Sequence, residues 1–373
     1  MRALIHVQHL LGIGHLQRVA LIARALAAAG AEVTVLSGGM PWPGLALGGA
    51  RLVQLPPLRA ADAGFTRLID AEGRPLDDTL RAERRRTVLD NLAESRPDLV
   101  LIETYPFGRR ALRFELEPLV AAARALAPRP VLACSIRDIV AAKPDPARRQ
   151  QILATLAAEF DRVLVHADEH FIRLEASFPE APALGERLVY TGFVAPPPAL
   201  PGPASGEIIV SAGGGAAGAA LLLAAKAARA LTRYAVSPWR LIAGRNLPEL
   251  DFAALARDLP AGMALDRHRP DFRNLLAGAR LSVSQAGYNT VLDLLQARIP
   301  AVLVPFAQGH ETEQSLRAER MQALGLASML SEAALTPASL AAAIDQAPVP
   351  EGPVFDLDGA RRSAALLLAL TSR

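Results

Sequence analysis

The clearest chemical pattern in this sequence lies between Leu281 and Asp293. The run Leu281-Ser-Val-Ser-Gln-Ala-Gly-Tyr-Asn-Thr290-Val-Leu-Asp293 indicates a short buried strand, a turn of small residues and the first turns of a helix. The first backbone N–H groups of a helix have no partner within it, so such a turn presents them to a phosphate. Gly287 lets a ligand approach the backbone, and Asn289 and Thr290 add side-chain donors. We therefore predict a phosphate-binding turn; an ordinary turn capped by Asn289 is the alternative.

A second candidate group follows the first predicted strand, Ala3 to Gln8. It is the loop Leu11-Gly-Ile-Gly-His15-Leu-Gln-Arg18, which leads into a helix. Gly12 and Gly14 lack the third glycine of the dinucleotide fingerprint, and no acidic residue ends the next strand, so a nicotinamide cofactor is disfavoured. Because neutral imidazole titrates near the working pH, His15 is the preferred candidate for a general base. The alternative is that His15 only stabilises the glycine turn through a hydrogen bond.

Polar residues end three other predicted strands of the first half. They are Glu103 after strand 97–102, Arg137 and Asp138 after strand 131–136, and His166 after strand 162–165. In parallel α/β sheets, ligands bind beyond the carboxyl ends of the strands. Glu103 and Asp138 are therefore secondary candidates for a base, and loop or cap roles are the alternative.

Strands and helices alternate along both halves of the chain. The second half opens as the first does, with a strand at 207–211, a glycine loop at 212–218 and a helix from 219. The proline-rich segment Ala195 to Pro203 is a stiff linker between the halves. We predict an α/β protein of two Rossmann-like domains, 1–198 and 199–350, that face each other across a cleft. A terminal helix in 351–373 is expected to pack back across the hinge.

Composition excludes several classes of protein. A chain of 373 residues can bury two full cores, and no run approaches the roughly 18 apolar residues of a membrane span. Cys134 is the only cysteine, so there is no disulfide framework and no thiolate metal site. The net charge is only +3, and runs such as Arg84-Arg85-Arg86 indicate a solvated helix face, not nucleic-acid contact. No secretory signal is visible, so a cytoplasmic protein is expected.

Taken together, these motifs resemble the GT-B glycosyltransferases of family 28, related to the N-acetylglucosaminyltransferase that completes the lipid-linked cell-wall precursor. The resemblance is carried by Ser284 to Asp293, by Val302 to Phe306 and by Glu311-Thr-Glu313-Gln314. The runs Tyr105 to Leu116 and Ser135 to Ile139 resemble an uncharacterised bacterial branch of predicted glycosyltransferases with no known acceptor. The resemblance implies a GT-B fold whose N-terminal domain binds the acceptor and whose C-terminal domain binds a nucleotide-sugar donor.

The resemblance also implies the residues of the donor site. They are Gly213, Gly214, Gly215, Gly287, Tyr288, Asn289, Thr290, Asp293, Glu313 and Gln314. Arg245, Arg269 and His310 are added as donor-site candidates from their positions in this chain, not from the family motif. Gly287, Asn289 and Thr290 would hold the diphosphate. Asp293 would bind the ribose, where the family usually has Glu, and Glu313 and Gln314 would contact the hydroxyls of the donor sugar. His310 would contact either phosphate or sugar.

Three departures from the family pattern bear on these assignments. The loop 213–215 is Gly-Gly-Gly where the family has Gly-Gly-Ser, so only backbone contacts remain there. His268-Arg269 replaces the apolar residues of the family's uracil pocket, so contacts to the base would come from backbone amides. An arginine that the family carries near the end of the N-terminal half is missing, and Arg245 or Arg18 would supply its charge.

We therefore expect an inverting, metal-independent glycosyltransferase that moves a sugar from a nucleotide diphosphate donor of the UDP type to an acceptor hydroxyl, with His15 as base. The nucleotide sugar is a substrate, and no cofactor or metal is expected. A nucleotide-sugar hydrolase is the first alternative, since Gly12-x-Gly14-His15-x-x-Arg18 is similar to hydrolases of the same superfamily. A non-catalytic nucleotide-sugar-binding protein is the second.

The acceptor and the assembly state are open at this level. A small molecule or a lipid-linked acceptor both fit, and the aromatic and basic residues between Tyr105 and Phe114 leave peripheral contact with the inner face of the membrane open. No nucleic-acid partner is expected, and the sequence predicts no particular oligomer.

Overall fold

The chain forms two compact units. The computed structural model describes residues 1–10, 12–61, 67–143, 145–199, 204–213, 218–307 and 312–372. Unit 1 comprises Met1–Pro196 together with Asp356–Arg373, and unit 2 comprises Pro197–Phe355. The chain therefore leaves unit 1 at the predicted proline-rich linker and returns to it just before the terminal helix.

Unit 1 is built on a seven-stranded sheet in which every pairing is parallel. Its strands are β1 (Arg2–Val7), β2 (Glu32–Ser37), β3 (Arg51–Gln54), β6 (Leu99–Glu103), β7 (Val131–Arg137), β8 (Arg162–His166) and β9 (Leu188–Tyr190), in the order β3-β2-β1-β6-β7-β8-β9; β4 (Arg59–Ala60) and β5 (Leu68–Ile69) form an antiparallel hairpin. The helices are α1 (Gly14–Ala28), α2 (Asp78–Ser95), α3 (Arg113–Ala125) and α4 (Pro146–Glu159). Because the central strands are covered on both faces, they read as continuous apolar runs.

One residue of the predicted solvated arginine run is in the core. Arg84 is fully buried, and its Nε and Nη2 each donate to an oxygen of Glu115 at 2.7 Å, which ties α2 to α3. Burial would raise the pKa of Glu115, but Arg84 and His6 hold it at about 2. Arg85 and Arg86 are exposed, as predicted. The expectation was wrong for Arg84 because periodicity alone does not show that a buried acid faces it on another helix.

Unit 2 contains a second parallel sheet, of six strands, in the order β12-β11-β10-β13-β14-β15. Its strands are β10 (Ile208–Ser211), β11 (Trp239–Ile242), β12 (Met263–Asp266), β13 (Leu281–Ser284), β14 (Ala301–Leu303) and β15 (Ser328–Met329). Its helices are α5 (Ala219–Ala228), α6 (Glu249–Ala256), α7 (Phe272–Ala277), α8 (Tyr288–Ala297), α9 (Glu313–Ala323) and α10 (Pro337–Asp345). The sequence prediction missed α6, α9 and the two-residue strand β15, and it found the other elements.

In both sheets the first strand lies between the second and the fourth strand of that sheet in chain order. β1 lies between β2 and β6, and β10 lies between β11 and β13. At such a switch point the connections on the two sides diverge and leave a crevice at the carboxyl ends of the strands, where α/β proteins bind ligands. The crevice of unit 1 receives the loops after β1 and β6, and that of unit 2 receives the loops after β10 and β13.

The terminal helix α11 (Gly359–Thr371) belongs to unit 1. It packs against α1, and Ala364 and Leu367 join the same core as the inward face of α1. The segment before it is anchored by a bridge between Val194 and Asp358 and by the bond from Phe193 N to Asp356 O at 2.8 Å. No helix in the described ranges is long and apolar enough to cross a membrane.

Candidate active site

At the switch point of unit 1, a histidine meets a carboxylate. His15 is the second residue of α1, and Glu103 is the last residue of β6, the strand next to β1. Parallel neighbours end at the same edge of the sheet, so two residues far apart in sequence come together there. His15 Nδ1 lies 2.7 Å from Glu103 Oε1. When Nδ1 carries the proton and donates a hydrogen bond to this carboxylate, Nε2 has the free lone pair.

The protonation states of this pair follow from burial and charge. Glu103 is buried completely, and although burial alone raises its pKa, His15, Arg18 and Arg109 hold that pKa well below its usual range. Burial lowers the pKa of His15 to about 3; Glu103 opposes this shift, and Arg109 and Arg18 add to it. The imidazole is therefore neutral at neutral pH. Its side chain remains 22% exposed, so the neutral ring can still accept a proton from a bound group.

The loop after β6 adds an arginine that the sequence did not predict. Thr104 and Arg109 both have positive φ, at 67° and 62°, a region that costs non-glycine residues on the order of 1–3 kcal/mol and is common at functional sites. Arg109 Nη2 lies 3.8 Å from Glu103 Oε2, and its side chain is only 11% exposed. Nothing in the sequence marked Arg109, because its role depends on a left-handed backbone conformation that only the structure shows.

Three sequence predictions for unit 1 need correction. Arg18 is 3% exposed and its Nη2 is ion-paired with Glu103, so it orients the dyad and does not offer its charge to an external phosphate. Glu103 is not a base for substrate, because it is buried and ionised between cations. Asp138 is also fully buried and accepts the N–H of Ile139 at 2.9 Å, a local turn contact. His15 is thus the base candidate whose position fits the role. The predicted loop glycines Gly12 and Gly14 lead into it, and Gly14 starts α1.

At the switch point of unit 2, helix α8 begins without a side-chain cap. Gly287 is its N-cap residue, so the first N–H groups of α8 receive no bond from that position. Its φ of −63° is open to any residue, and an added Cβ would meet nothing nearer than Thr290 Oγ1 at 3.9 Å. The fold therefore does not require glycine at 287. Because Gly287 has no side chain, there is space in front of the N-terminus of α8, where Asn289 is exposed and Thr290 is half-buried.

Helix α9 fixes the position of this turn. Gln314 Oε1 accepts the N–H of Ala286 at 3.1 Å and that of Phe306 at 3.2 Å, and Arg317 Nη1 donates to Ala286 O at 2.8 Å. Gln314 Oε1 thus joins the turn after β13 to the loop after β14, and the contact of Gln314 with the hydroxyls of the donor sugar stays a prediction. Because α9 was not predicted from the sequence, this role of Gln314 could not be predicted either.

Two other expected donor contacts are buried. Tyr288 is 6% exposed and lies beneath Arg317, whose guanidinium carbon is 5.9 Å from the ring centroid. Glu313 is also 6% exposed, at the first turn of α9. Little of either side chain is exposed, and the contact of each with a donor stays a prediction. The motif match placed them correctly in sequence but could not show which way the side chains face.

Asp293 lies one turn into α8, as predicted. Its Oδ1 accepts from Arg273 Nε at 3.0 Å, and Oδ2 accepts no hydrogen bond within the described part of the chain. Burial raises the pKa of Asp293 to about 6, against the opposing effect of Arg273. Arg273 also donates to Pro197 O and Gln296 Oε1, so it holds the carboxylate in a fixed orientation. The ribose role stays a prediction, and Oδ2 is the oxygen that could serve it.

The basic residues at the ends of β11 and β12 differ in availability. Arg269 makes two bonds to Asp271, at 2.9 and 2.7 Å, and lies 3.5 Å from Asp266. This arginine is therefore neutralised within its own loop, and its assignment to the donor is not supported. Arg245 is exposed, and it lies near enough to His268 that, with burial, its charge lowers the pKa of that histidine. Arg245 remains the candidate for a phosphate-binding cation in this unit.

Loops after three strands of unit 2 surround a cavity of about 260 Å³. Its lining includes Gly218 and Ala219 at the start of α5, Gln285 after β13, and Pro305 and Phe306 after β14. Gly213 follows β10 with φ +70°, a conformation suited to glycine. Of the predicted donor residues, Gly214, Gly215 and His310 lie outside the described ranges. The predicted phosphate turn and the following strand thus frame one cavity at the carboxyl edge of the sheet.

Comparison with known proteins is consistent with this geometry. Residues 265–350 match the glycosyltransferase family 28 C-terminal domain. Over 71 residues the chain is 38% identical to the UDP-N-acetylglucosamine–N-acetylmuramyl-(pentapeptide) pyrophosphoryl-undecaprenol N-acetylglucosamine transferase of Thermotoga neapolitana, which is 18% of this chain and 20% of that enzyme. The match thus spans about a fifth of the length of this curated relative.

Solved structures extend the similarity of fold to the whole chain. MurG of Acinetobacter baumannii superposes with a TM-score of 0.63 at 16% identity, covering 99% of this chain and all of MurG. The calicheamicin glycosyltransferase CalG4 gives 0.62 at 19% identity, covering 99% and 94%. The resemblance predicted from the sequence is confirmed: the chain has the GT-B fold of two Rossmann-like domains, and its residues 265–350 match the family-28 glycosyltransferase C-terminal domain.

Proposed function

We propose that this protein transfers a sugar from a nucleotide diphosphate sugar, of the UDP type, to an acceptor hydroxyl with inversion at the anomeric carbon. The observation that carries the proposal is the His15–Glu103 pair, a neutral imidazole oriented by a buried carboxylate. Unit 2 adds the uncapped N-terminus of α8 and the open space at Gly287. A base for the acceptor and a site for a diphosphate are the two parts that this reaction needs.

His15 Nε2 takes the proton of the acceptor hydroxyl while that oxygen forms a bond to the anomeric carbon and the bond from this carbon to the diphosphate oxygen breaks. The nucleoside diphosphate leaves with the bonding electrons, and backbone N–H groups of α8 with Arg245 stabilise its charge without requiring a metal. Glu103 stabilises the imidazolium that forms on His15. The acceptor is a small molecule or a lipid-linked alcohol, and the cytoplasm or the inner face of the membrane is the expected location.

The test is a screen of nucleotide sugars for release of nucleoside diphosphate, with and without a cell extract as the acceptor source. We expect release that depends on the extract. The variant His15→Ala should lower turnover by at least about 10²-fold, the usual contribution of a general base, while donor binding is retained. Turnover by His15→Ala equal to that of the wild type would remove His15 from the mechanism.

A nucleotide-sugar hydrolase is a second candidate, favoured by the partial exposure of His15, which lets water as well as an alcohol reach Nε2. This activity would consume the donor at a catalytic rate without any extract, and His15→Ala would abolish it. Tight donor binding with no turnover under either condition would instead identify a nucleotide-sugar-binding protein.

A further inference from the structure

A basic pocket in unit 1 is lined by none of the residues named in the proposed reaction. The pocket has a volume of about 680 Å³ and lies among the β4–β5 hairpin, α2 and the start of α3. Leu68, Ile69, Leu76 and Phe114 form its apolar part, and four arginines, Arg67, Arg81, Arg110 and Arg113, line it as well. Its size falls in the range of small-molecule sites, which is typically 300–1,000 Å³.

The arginines of this pocket are poorly neutralised. Arg113 is paired with Glu117 at 2.6 Å. Arg81 reaches no nearer than 3.8 Å to Asp78, and its Nε is buried without a hydrogen-bond partner in the described part of the chain. Arg110 is exposed and has no acidic partner among the described residues. Among the residues of the pocket that the structure describes, positive charge therefore exceeds the negative charge available to balance it.

The turn that follows β5, on the same surface, contains an arginine whose charge is neutralised. Arg74 donates to Asp70 at 2.7 Å and to Glu72 at 2.9 Å, so its charge is satisfied by its own loop. The arginine content of the chain alone does not explain the contrast, because Arg74 has two acids and Arg110 has none among the residues described. Arg81 and Arg110, which line the cavity, lack such close acidic partners among the described residues.

A further arginine adds to this charge. Arg148, on α4, is close enough to Arg110 and Arg113 that burial and then the charges of both lower its pKa. Like charges held close together repel one another, and an anion placed among them lowers that cost. Arg81 also stacks on Phe114, with its guanidinium carbon 5.6 Å from the ring centroid, so the cationic and apolar parts of the pocket are continuous.

Both walls of the pocket adjoin the candidate base. On one side, Ala60 N in β4 donates to Leu10 O at 3.1 Å, just before the loop that carries His15. On the other, Arg110 directly follows Arg109, which approaches Glu103 to 3.8 Å. The pocket therefore lies on the same edge of unit 1 as the His15–Glu103 pair.

We propose that this pocket binds the acceptor through an anionic group, a phosphate or a carboxylate, carried on an apolar body. Arg81 and Arg110 contact the anion, and Leu68, Leu76 and Phe114 contact the apolar part. This inference rests on the proposed function for the identification of the ligand as the acceptor. The anion-binding property of the pocket can be measured without any turnover.

Three fluorescent probes with the same ring system test the pocket directly: 1-naphthyl phosphate, 1-naphthoate and 1-naphthol. Their fluorescence anisotropy is followed on titration with the full-length protein. We expect both anions to bind at least tenfold more tightly than naphthol, and the tighter of the two identifies phosphate or carboxylate as the preferred group. Naphthol that binds as tightly as the anions would overturn the proposal.

Two double variants with the same change in net charge locate the binding. Arg81→Gln/Arg110→Gln should weaken naphthyl phosphate or naphthoate at least tenfold. Arg85→Gln/Arg86→Gln, at exposed positions on α2 that do not line the pocket, should leave it within twofold. Equal effects of the two double variants would contradict the assignment. If the double variant fails to fold, the single variant Arg110→Gln, at an exposed position, still tests the pocket. UDP affinity should not change in any variant, so a failure of this site and a failure of the proposed donor site give different results.

Discussion

At His15, burial and charge keep the imidazole unprotonated, and they also make it a weaker base than a free imidazole. An exposed imidazole would be partly protonated below pH 6.5, whereas burial lowers the pKa of His15 to about 3. The ring is then fully available as an acceptor across the physiological range. Glu103 is not what keeps the ring neutral. It stabilises the imidazolium that forms once His15 has accepted a proton. The pH dependence of the enzyme near neutrality should accordingly come from another group.

That group is predicted to be Asp293. Burial raises its pKa to about 6, so the folded protein holds a neutral carboxyl below that pH and a carboxylate above it. Because Oδ1 accepts from Arg273, protonation of the carboxyl places the proton on Oδ2, which then no longer accepts a hydrogen bond from the ribose. The KM for a nucleotide sugar should therefore rise up to about tenfold from pH 7 to pH 5 while kcat changes little. The sugar ester of the diphosphate does not titrate in this interval, so the profile reports the protein.

The matched variants are Asp293→Asn and Glu319→Gln, the latter an exposed acid on α9. Asp293→Asn should have a raised KM that no longer depends on pH, and Glu319→Gln should keep the wild-type profile. The free energy of unfolding changes with pH in the opposite direction to donor binding. Between pH 3.8 and 6 the carboxyl of Asp293 is ionised in the unfolded chain but keeps its proton in the folded chain. Any stability from this carboxyl is thus lost as the pH rises through that interval. A pH-dependent KM in Asp293→Asn would assign the titration elsewhere.

At the scale of elements, α9 determines the shape of the donor turn. Gln314 holds two backbone N–H groups, those of Ala286 and Phe306, with one oxygen. Gln314→Leu leaves both donors without that acceptor, at a cost of about 1–3 kcal/mol, and lets the turn before α8 relax. We expect weaker binding of UDP, which lacks the donor sugar, by calorimetry. If Gln314 instead contacted only the sugar hydroxyls, UDP affinity would be unchanged.

Gln322 provides the matched control on the same helix. Its Oε1 accepts the N–H of Met329 at 2.8 Å, an equivalent bond at the other end of α9. Gln322→Leu should lower stability by a similar amount and leave UDP binding within twofold. Equal loss of UDP affinity in both variants would show a general weakening of α9 and not a specific effect on the turn.

Elements also show where sequence reasoning succeeds and where it ends. The strand-turn-helix around Gly287 was predictable because a buried strand, small turn residues and an amphipathic helix each leave a local pattern. The His15–Glu103 contact was not, because it depends on β6 pairing with β1, and pairing order leaves no local signal. Likewise Arg84 and Arg269 have the same residue type as the exposed Arg245, and only the acids beside them in space show that their charges are used internally.

At the scale of the whole molecule, the course of the chain gives each unit a core of its own. The chain starts in unit 1, builds unit 2 and returns to unit 1 with α11, which covers α1, the helix that begins at the loop carrying His15. The first and last segments of the chain must therefore both be in place before the core around α1 is complete. Unit 2, by contrast, is formed by one continuous segment, 197–355.

This arrangement predicts that the two units can be destabilised separately. Leu367 in α11 is fully buried in the unit 1 core, and Ile344 in α10 is fully buried in the unit 2 core. Leu367→Ala and Ile344→Ala should each cost about 2–5 kcal/mol, but in different units. Calorimetric scans with and without UDP should show Leu367→Ala lowering a transition that UDP does not shift. Ile344→Ala should lower the transition that UDP raises, because ligand binding stabilises only the unit that holds the site. A single transition lowered equally by both variants would mean that the two cores unfold as one, and the separation of base and donor turn into independent units would not hold.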